Sequence, residues 1–313
     1  MVRMILSRVA AALPVLFIMT FLTFFLASLI PGNAAIVILG QDATPERIEE
    51  LNASLGLDRP IWEQYTNWIV SAFQGDLGRG LYSGQEVTRL LSQRFMPTFY
   101  VALLAALVSG IGGIAFGVYA ALRGGVASRI LDVVGMLGVS LPNFWIALLL
   151  IVFFSGYLGL LPAIGYTSPE EDIGEWIRHL ILPVTALGIA GVARIAKQTR
   201  DAYSQALSRD FMRFMQANGI SRASLVFKHG MRHASVPMFA AFSVTFVDFF
   251  GATAALEQIF SIPGLGSAVA QSTLNHDLAQ VQGIVLAYTL VIVVATLITD
   301  IVYAILNPKI GTR

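Results

Sequence analysis

The chain offers few residues that could carry chemistry, and one of them is an acid inside an apolar stretch. Asp248 is the single charged residue of the segment 236–256. An ionised side chain at the centre of a membrane helix costs about 2.5–3.5 kcal/mol, so we expect it to face a pathway or a protein partner. Asp248 is therefore a candidate for a translocation path, where it would meet a substrate ammonium or a metal ion, or for a structural partner of a neighbouring helix. Asn143, in another apolar segment, is a second candidate for the path.

Two of the chain's four histidines have a spacing that metal ligands also use. His229 and His233 stand at i and i+4, which places them on one face of a helix. They lie beside Lys228 and Arg232, which repel a cation, and no acid accompanies them. We therefore predict a solvated or partner-facing surface there and no metal site.

Other catalytic patterns are missing from the sequence. The chain has no cysteine, hence no thiolate nucleophile and no disulfide. An intramembrane hydrolase would need a nucleophile with a base, or a metal-binding pair, inside the helices, and neither pattern is present. The sequence also lacks the Gly-x-x-x-x-Gly-Lys-Ser/Thr loop that binds ATP phosphates. We therefore predict that the chain is not an enzyme and binds no cofactor directly.

The composition indicates a membrane protein. Hydrophobic residues make up 56% and charged residues 12% of the chain, and the mean hydropathy is +0.72. A soluble domain averages about 25% charged residues, so this chain has too little charge to cover a surface in contact with water. The formal net charge of +1 argues against a nucleic-acid binder, which would be strongly basic.

Apolar runs of the length needed to cross a bilayer recur six times. A helix crosses the hydrocarbon core with about 20 residues, and in lipid each run must be helical because its backbone polar groups find no other partners. The first run follows Arg3 and Arg8, as in a secretory signal, but it is longer than a signal's apolar region of about 7–15 residues. We therefore expect a retained helix. Pro142 interrupts the third run. The six runs are 9–30, 98–122, 133–161, 180–193, 236–256 and 281–306.

The distribution of charged residues predicts the orientation. If the N-terminus is cytoplasmic, the inner segments hold 14 of the 20 Lys and Arg residues. Acids have the opposite bias, with eight between Asp42 and Glu86 and four between Glu170 and Glu175. The positive-inside rule then places both termini in the cytoplasm. The predicted fold is an all-α integral membrane protein with six transmembrane helices.

The polar segments between the runs predict how the chain is organised. The first helix with its N-terminal segment covers 1–30, an extracytoplasmic insert covers 31–97, and a five-helix core covers 98–313. Within the core, 201–235 forms a basic cytoplasmic segment between the fourth and fifth helices. This segment and the insert are the parts large enough to meet other proteins.

A short amphipathic helix is predicted inside the cytoplasmic segment. Asp210 is a good N-cap, Gly219 a good stop just past the C-terminus, and Ser221 a good cap for a second helix. Such a helix either rests on lipid headgroups or inserts as a ridge into a groove of a partner protein. Its predicted face, at i, i+3, i+4 and i+7, consists of Phe211, Phe214, Met215 and Asn218.

The same segment resembles the coupling-helix signature of ABC-importer permeases, a glycine followed at fixed spacing by an apolar residue and a proline. Here these are Gly219 and Val236-Pro237. Further motifs extend the resemblance to nearly the whole chain, and their order and spacing together are specific. On these motifs the chain resembles the dipeptide, oligopeptide and nickel permease family, in particular its subunit with a long outer insert. The motifs are LGLDRP at 55–60, QY at 64–65, GDLG at 75–78, SLPNFW at 140–145, LPAIGY at 161–166, EQIFSIPGLG at 257–266 and NPK at 307–309.

The resemblance implies a division of labour among several proteins in the bacterial inner membrane. This chain and a second, homologous permease would form the pathway. Two cytoplasmic ATP-binding subunits would hydrolyse ATP with Mg²⁺, and an extracytoplasmic binding protein would deliver the solute. The residues implied to form the ATPase-coupling helix and its end are Asp210, Arg213, Phe214, Ala217, Gly219 and Ser221.

The resemblance also implies import by alternating access, with peptides as the leading substrate class. Nickel or metal-chelator complexes are the alternative within the same family, because the binding protein and not the permease selects the solute. A different class, an ion-coupled secondary transporter, would hold coupling ions at the membrane midplane between repeated halves with broken helices. Only Asp248 is positioned for that, and six helices are few.

Overall fold

The fold consists of helices, as the apolar runs predict. The computed structural model describes residues 2–29 and 33–306, so the motif at 307–309 lies outside the described residues. Within them, extended pairing is confined to one bridge between Arg79 and Glu86. The α-helices are α1 (Val2–Ser28), α2 (Ala34–Leu39), α3 (Pro45–Leu55), α4 (Ile61–Phe73), α5 (Val87–Arg123), α6 (Gly125–Ser140), α7 (Asn143–Leu150), α8 (Ile173–Leu207), α9 (Asp210–Ala217), α10 (Arg222–Ser224), α11 (Met231–Phe260), α12 (Leu265–Leu274) and α13 (Leu278–Leu306).

Among the described residues, five helices are long and apolar enough to cross a membrane. They coincide with the first, second, fourth, fifth and sixth predicted runs. The fifth crossing helix begins before α11, because α10 and a π-helical turn at Leu225–Gly230 lead into it without a break. The five helices are Ile5–Ser28, Val87–Arg123, Ile173–Leu207, Arg222–Phe260 and Leu278–Leu306.

The third predicted run is divided between two helices. α6 ends at Ser140 and α7 begins at Asn143, and Pro142 between them is extended, with φ −61° and ψ 138°. Proline has no N–H for a helical hydrogen bond, and its ring disfavours a helical conformation of the preceding residue. The helix therefore stops and restarts. α7 continues through a π-helical turn at Ile151–Tyr157 to give a shorter apolar helix.

One compact unit comprises, within the described residues, 99–262 and 295–306. In it α8 packs along α11 and also contacts α6 and α7. α5 approaches α8 through Gly113 and Gly117, where a Cβ at Gly113 would lie 2.6 Å from the Cβ of Ile195. Two small residues one turn apart let helix backbones come this close. The unit is therefore organised around α8, which contacts α5, α6, α7 and α11.

A second compact unit comprises Val2–Thr98 and Pro263–Val294. In it α1 packs on α4, and the hydroxyls of Thr20 and Tyr65 lie 3.0 Å apart. The Nε2 of Gln282 in α13 donates to the carbonyl oxygen of Thr20 at 2.6 Å. These polar groups are buried and need such partners, so the contacts connect α1 to both α4 and α13. An apolar core in this unit is formed by Leu90, Leu265, Ala268 and Ile284.

Candidate functional site

The predicted cytoplasmic helix is present as α9, but its first residue differs from the prediction. The N-cap position is Arg209, which is extended (φ −70°, ψ 145°) and makes no side-chain capping bond. Asp210 is the first helical residue, so its prediction as the N-cap is wrong. Its carboxylate still lies in the first turn, where a negative charge interacts favourably with the helix dipole.

The C-terminal end of α9 has the geometry that the glycine predicts. Gly219 has φ +81°, and its N–H donates to the carbonyl of Gln216 at 3.1 Å while the N–H of Ile220 donates to Met215 at 3.2 Å. These two bonds form a Schellman motif, whose positive φ favours glycine. The Oγ of Ser221 then accepts the N–H of Ser224 at 3.3 Å, as predicted for the cap of the next helix.

α9 has one face packed against the chain and one exposed face. The residues that the sequence predicts to share a single face are divided between the two. Met212 is buried, with 4% of its surface exposed, and Phe211 and Met215 are half-buried beside it. Phe214 is 71% exposed and Asn218 is also exposed, so these two lie on the opposite face. The side chain of Arg213 lies outside the described part of the chain. The other proposed coupling residues are all exposed: Asp210, Phe214, Ala217, Gly219 and Ser221.

The inner face of α9 is held by the start of α11. The ring of Phe211 packs on the ring of His233, with centroids 4.5 Å apart. α9 also contacts the π-helical turn Leu225–Gly230, which in turn packs on α8 and α11. The helix is therefore attached to the chain through its inner face, and Phe214 is left free to meet another surface.

A buried tyrosine joins α8 to the same π-helical turn. Tyr203 in α8 is fully buried, and its hydroxyl donates to the carbonyl oxygen of Val226. Gly230 fits against this ring, since a Cβ there would lie 2.9 Å from the tyrosine hydroxyl. Ala234 and Met238 of α11 complete the cluster. Nothing in the sequence pattern singled out Tyr203, yet it links the end of α8 to the beginning of α11.

The two candidate path residues lie on different helices. Asn143 is half-buried in the first turn of α7. Asp248 lies in α11, where its Oδ2 pairs with the Nη1 of Arg194 in α8. The sequence indicated a structural partner as one alternative for Asp248 but did not identify it. Arg194 stands at the end of an apolar run, where a basic side chain also fits by extending toward the membrane surface.

Within the part of the chain that the structure describes, no group of three or more His, Cys, Asp or Glu side chains is placed to hold a metal ion. His233 uses its ring to pack on Phe211. A second ion pair of α8 joins Arg200 to Asp132 of α6 at 2.6 Å, with the Oγ of Ser128 at 2.9 Å from the same guanidinium. These charges therefore contribute to helix packing.

Comparison with known proteins decides the family. Residues 113–312 match the family described as binding-protein-dependent transport system inner membrane component, and residues 1–102 match the N-terminal region of such components. The chain belongs to this family of transport permeases.

The permease has full-length relatives among curated proteins. It is 36% identical over 311 residues to a putative peptide transport system permease protein of Brucella abortus (strain 2308), covering 99% of both chains. It is 34% identical over 311 residues to the glutathione transport system permease protein GsiC of Escherichia coli (strain K12), again covering 99% of both.

A solved structure supports the fold of the permease. The methionine ABC transporter MetNI, determined in inward-facing conformations, gives a TM-score of 0.56 at 15% sequence identity. The match covers 70% of this chain and 97% of that chain. At this identity the likeness concerns the fold alone.

Family membership determines the general role. The permease is a multi-pass protein of the inner membrane and is not itself an ATPase. It works with ATPase subunits, which hydrolyse ATP, and with a solute-binding protein.

Proposed function

We propose that the permease forms the translocation pathway of an importer for di- or oligopeptides, working by alternating access. The names of its relatives support this substrate class, because one is described for peptides and another for glutathione, itself a peptide. A second, homologous permease would complete the pathway, with two ATPase subunits on the cytoplasmic side.

We propose six crossings with both termini in the cytoplasm. Five crossings would be the long apolar helices, and the remaining one would be formed by α6 and α7 on either side of Pro142. The polar insert 31–97 would then lie outside the cytoplasm, after a first portion of residues 1–30. The core 98–313 would carry the cytoplasmic coupling segment 201–235. The bias of basic residues toward the inner segments supports this orientation.

The observation that best supports the mechanism is the two-faced packing of α9. Its inner face is attached to the π-helical turn and to α11, while its outer face presents Phe214, 71% exposed. Aromatic residues, phenylalanine among them, are enriched at protein–protein interfaces relative to the rest of the surface. An ATPase groove that moves α9 would therefore also move α8 and α11, because Tyr203 joins α8 to the same turn. Asp248 and Asn143 would line the pathway that opens and closes.

The experiment is affinity purification of the permease in mild detergent, with identification of the proteins that co-purify. A second permease and two ATPase subunits support the proposal. Phe214→Asp should lose the ATPase subunits but keep the second permease. Phe227→Asp is the matched control, since Phe227 is 69% exposed in the adjacent turn but lies outside α9. A permease that purifies alone and transports solute on an ion gradient would contradict the proposal.

A further inference from the structure

The pair of Arg194 and Asp248, which we name the ion-pair site, is half exposed within two membrane-spanning helices. The exposed fractions of the two side chains are 46% and 49%. At about 1.5 Å per residue, Asp248 lies about 18 Å from the end of α11 at Phe260, and Arg194 lies about 20 Å from the end of α8 at Leu207. Asp248 is therefore remote from both ends of α11, whereas Arg194 lies seven residues, about 10 Å along α8, before the proposed cytoplasmic segment 201–235.

Half-exposed charges on membrane-spanning helices need a polar surrounding. Ionisable groups in membrane helices almost always face a bundle interior, a partner or a water-filled cavity, because facing lipid is costly. α8 and α11 are also the helices joined to α9 through the turn Leu225–Gly230. The ion-pair site therefore lies on the two elements that the proposed mechanism moves.

We infer that the ion-pair site is a binding position for the two charged ends of a peptide in the pathway; this rests on the proposed function. A peptide with free ends carries one ammonium and one carboxylate. The carboxylate of Asp248 matches the ammonium, and the guanidinium of Arg194 matches the carboxylate, which it binds with directional hydrogen bonds. On binding, Asp248 would exchange the guanidinium of Arg194 for the ammonium of the peptide. Arg194 would exchange the carboxylate of Asp248 for the carboxylate of the peptide.

The balance of the two charges explains why such a site is compatible with transport. A lone acid or base in the pathway would hold an oppositely charged solute tightly, whereas a site with zero net charge does not attract one sign of ion. A partly solvated ion pair also contributes little net stability, because water screens its charges and ordering two long side chains costs entropy. Opening the pair for a substrate therefore costs little, and closing it again releases the substrate.

The test uses the complete importer in liposomes with its binding protein, ATP and a labelled peptide that has free ends. The double variant Arg194→Gln with Asp248→Asn removes both charges and leaves no unpaired one. We expect it to assemble with its partners and to hydrolyse ATP in response to loaded binding protein. Peptide uptake per ATP should fall about tenfold or more, because hydrogen bonds to charged groups are lost. The exchanged pair, Arg194→Asp with Asp248→Arg, should recover part of the uptake.

The other outcomes each have a definite meaning. Normal uptake by the neutral double variant would show that the pair only joins α8 to α11. Loss of the second permease from the purified complex would show that it forms a subunit interface, which also overturns the inference. The control removes an exposed pair of the same helix, Arg178→Gln with Glu175→Gln, and should leave uptake unchanged. A wild-type importer that carries no peptide would refute the proposed function itself, whereas uptake retained by both wild type and double variant refutes only the ion-pair site.

Discussion

Asp277 is a buried acid at the start of α13, within the second compact unit. Only 2% of its surface is exposed. Its Oδ1 accepts the N–H of Gln280 at 3.2 Å, and Oδ2 accepts the N–H of Tyr82 at 3.5 Å, so the carboxyl joins the helix start to the turn around the Arg79–Glu86 bridge. Burial raises the pKa of Asp277 above its ordinary value, against the lowering effect of these backbone donors.

The raised pKa gives a pH dependence with a definite sign. The folded state holds the proton of Asp277 more tightly than the unfolded chain does. Protonation of Asp277 therefore stabilises the folded state. This contribution is fully present below the unfolded pKa of about 3.9 and is lost as the pH rises through the folded pKa. Asp277→Asn removes this titration. We expect the melting temperature of wild type minus that of the variant to be higher at about pH 4 than at about pH 7.

The measurement is thermal unfolding of the purified permease in detergent at both pH values. Wild type and Asp277→Asn share all other titratable groups. The difference between their melting temperatures therefore cancels the titration of those groups. His276 is the adjacent titratable residue. The comparison with and without Asp277→Asn is therefore repeated in proteins that also carry His276→Asn. A difference with no pH dependence, or with the opposite sign, would show that the pKa of Asp277 is not raised in the folded state.

Gly219 allows a test of backbone conformation that is separate from packing. Its φ is +81°, and a Cβ added there would meet no heavy atom within 4 Å. A substitution therefore acts through backbone strain, which costs an ordinary residue about 1–2 kcal/mol and asparagine less. We expect the uptake per ATP hydrolysed to decrease from wild type, which has glycine at 219, through the Asn and Ala variants to the Val variant. The variant proteins should still fold. Uptake and ATPase rates of the importer are measured together, and equal coupling in Gly219→Val and wild type would contradict this role.

At the scale of elements, the contact between α5 and α8 depends on the absence of a side chain. A Cβ at Gly117 would lie 2.5 Å from the carbonyl oxygen of Ala196 and 2.6 Å from the Cβ of Thr199. Alanine in place of glycine gains about 1 kcal/mol in a helix, but overpacking costs about 1–3 kcal/mol. Because the contact is with backbone, which cannot rotate away, we expect Gly117→Ala to be destabilising overall.

The matched control for that substitution is in α6. A Cβ at Gly135 would meet no heavy atom within 4 Å, and its backbone is helical. Gly135→Ala should therefore leave the melting temperature unchanged or raise it slightly, while Gly117→Ala should lower it. Equal effects of the two substitutions would show that α5 and α8 do not touch as closely as the structure indicates.

The elements themselves were largely predictable, whereas their pairing was not. Lipid requires a long run to be both apolar and helical, so composition and length predict six runs, and within the described residues five of them lie in single helices long enough to cross a membrane. Gly219 was recognised because a positive φ favours one residue type. The inner face of α9 was not, since Phe211 and Phe214 are equivalent in a periodic pattern until His233 provides a packing partner for one of them.

The Arg194–Asp248 contact shows the same limit. The two residues are 54 positions apart, and their pairing depends on how far α8 slides along α11. The apolar residues of both helices leave that register undetermined, because many of them fit equally well against a neighbouring helix. The sequence therefore indicated that Asp248 needed a partner but not which residue it would be.

At the scale of the whole molecule, the number of crossings depends on whether α6 and α7 together span the membrane. The chain has no cysteine, so single cysteines introduced at exposed positions report their side of the membrane without further changes. Val126 at the start of α6 and Glu170 before α8 are both exposed and flank the interrupted helix. Gln74 after α4 and Ser208 after α8 are exposed reference positions.

Six crossings predict opposite reactivity at the two flanking positions. In spheroplasts, a maleimide that cannot cross membranes should label Gln74→Cys and Glu170→Cys. It should label Val126→Cys and Ser208→Cys only after permeabilisation. Labelling of Val126→Cys and Glu170→Cys from the same side would mean that α6 and α7 do not cross. In that case five crossings would put the C-terminus on the opposite side from the N-terminus, and the excess of basic residues between α8 and α11 would no longer fit a single orientation.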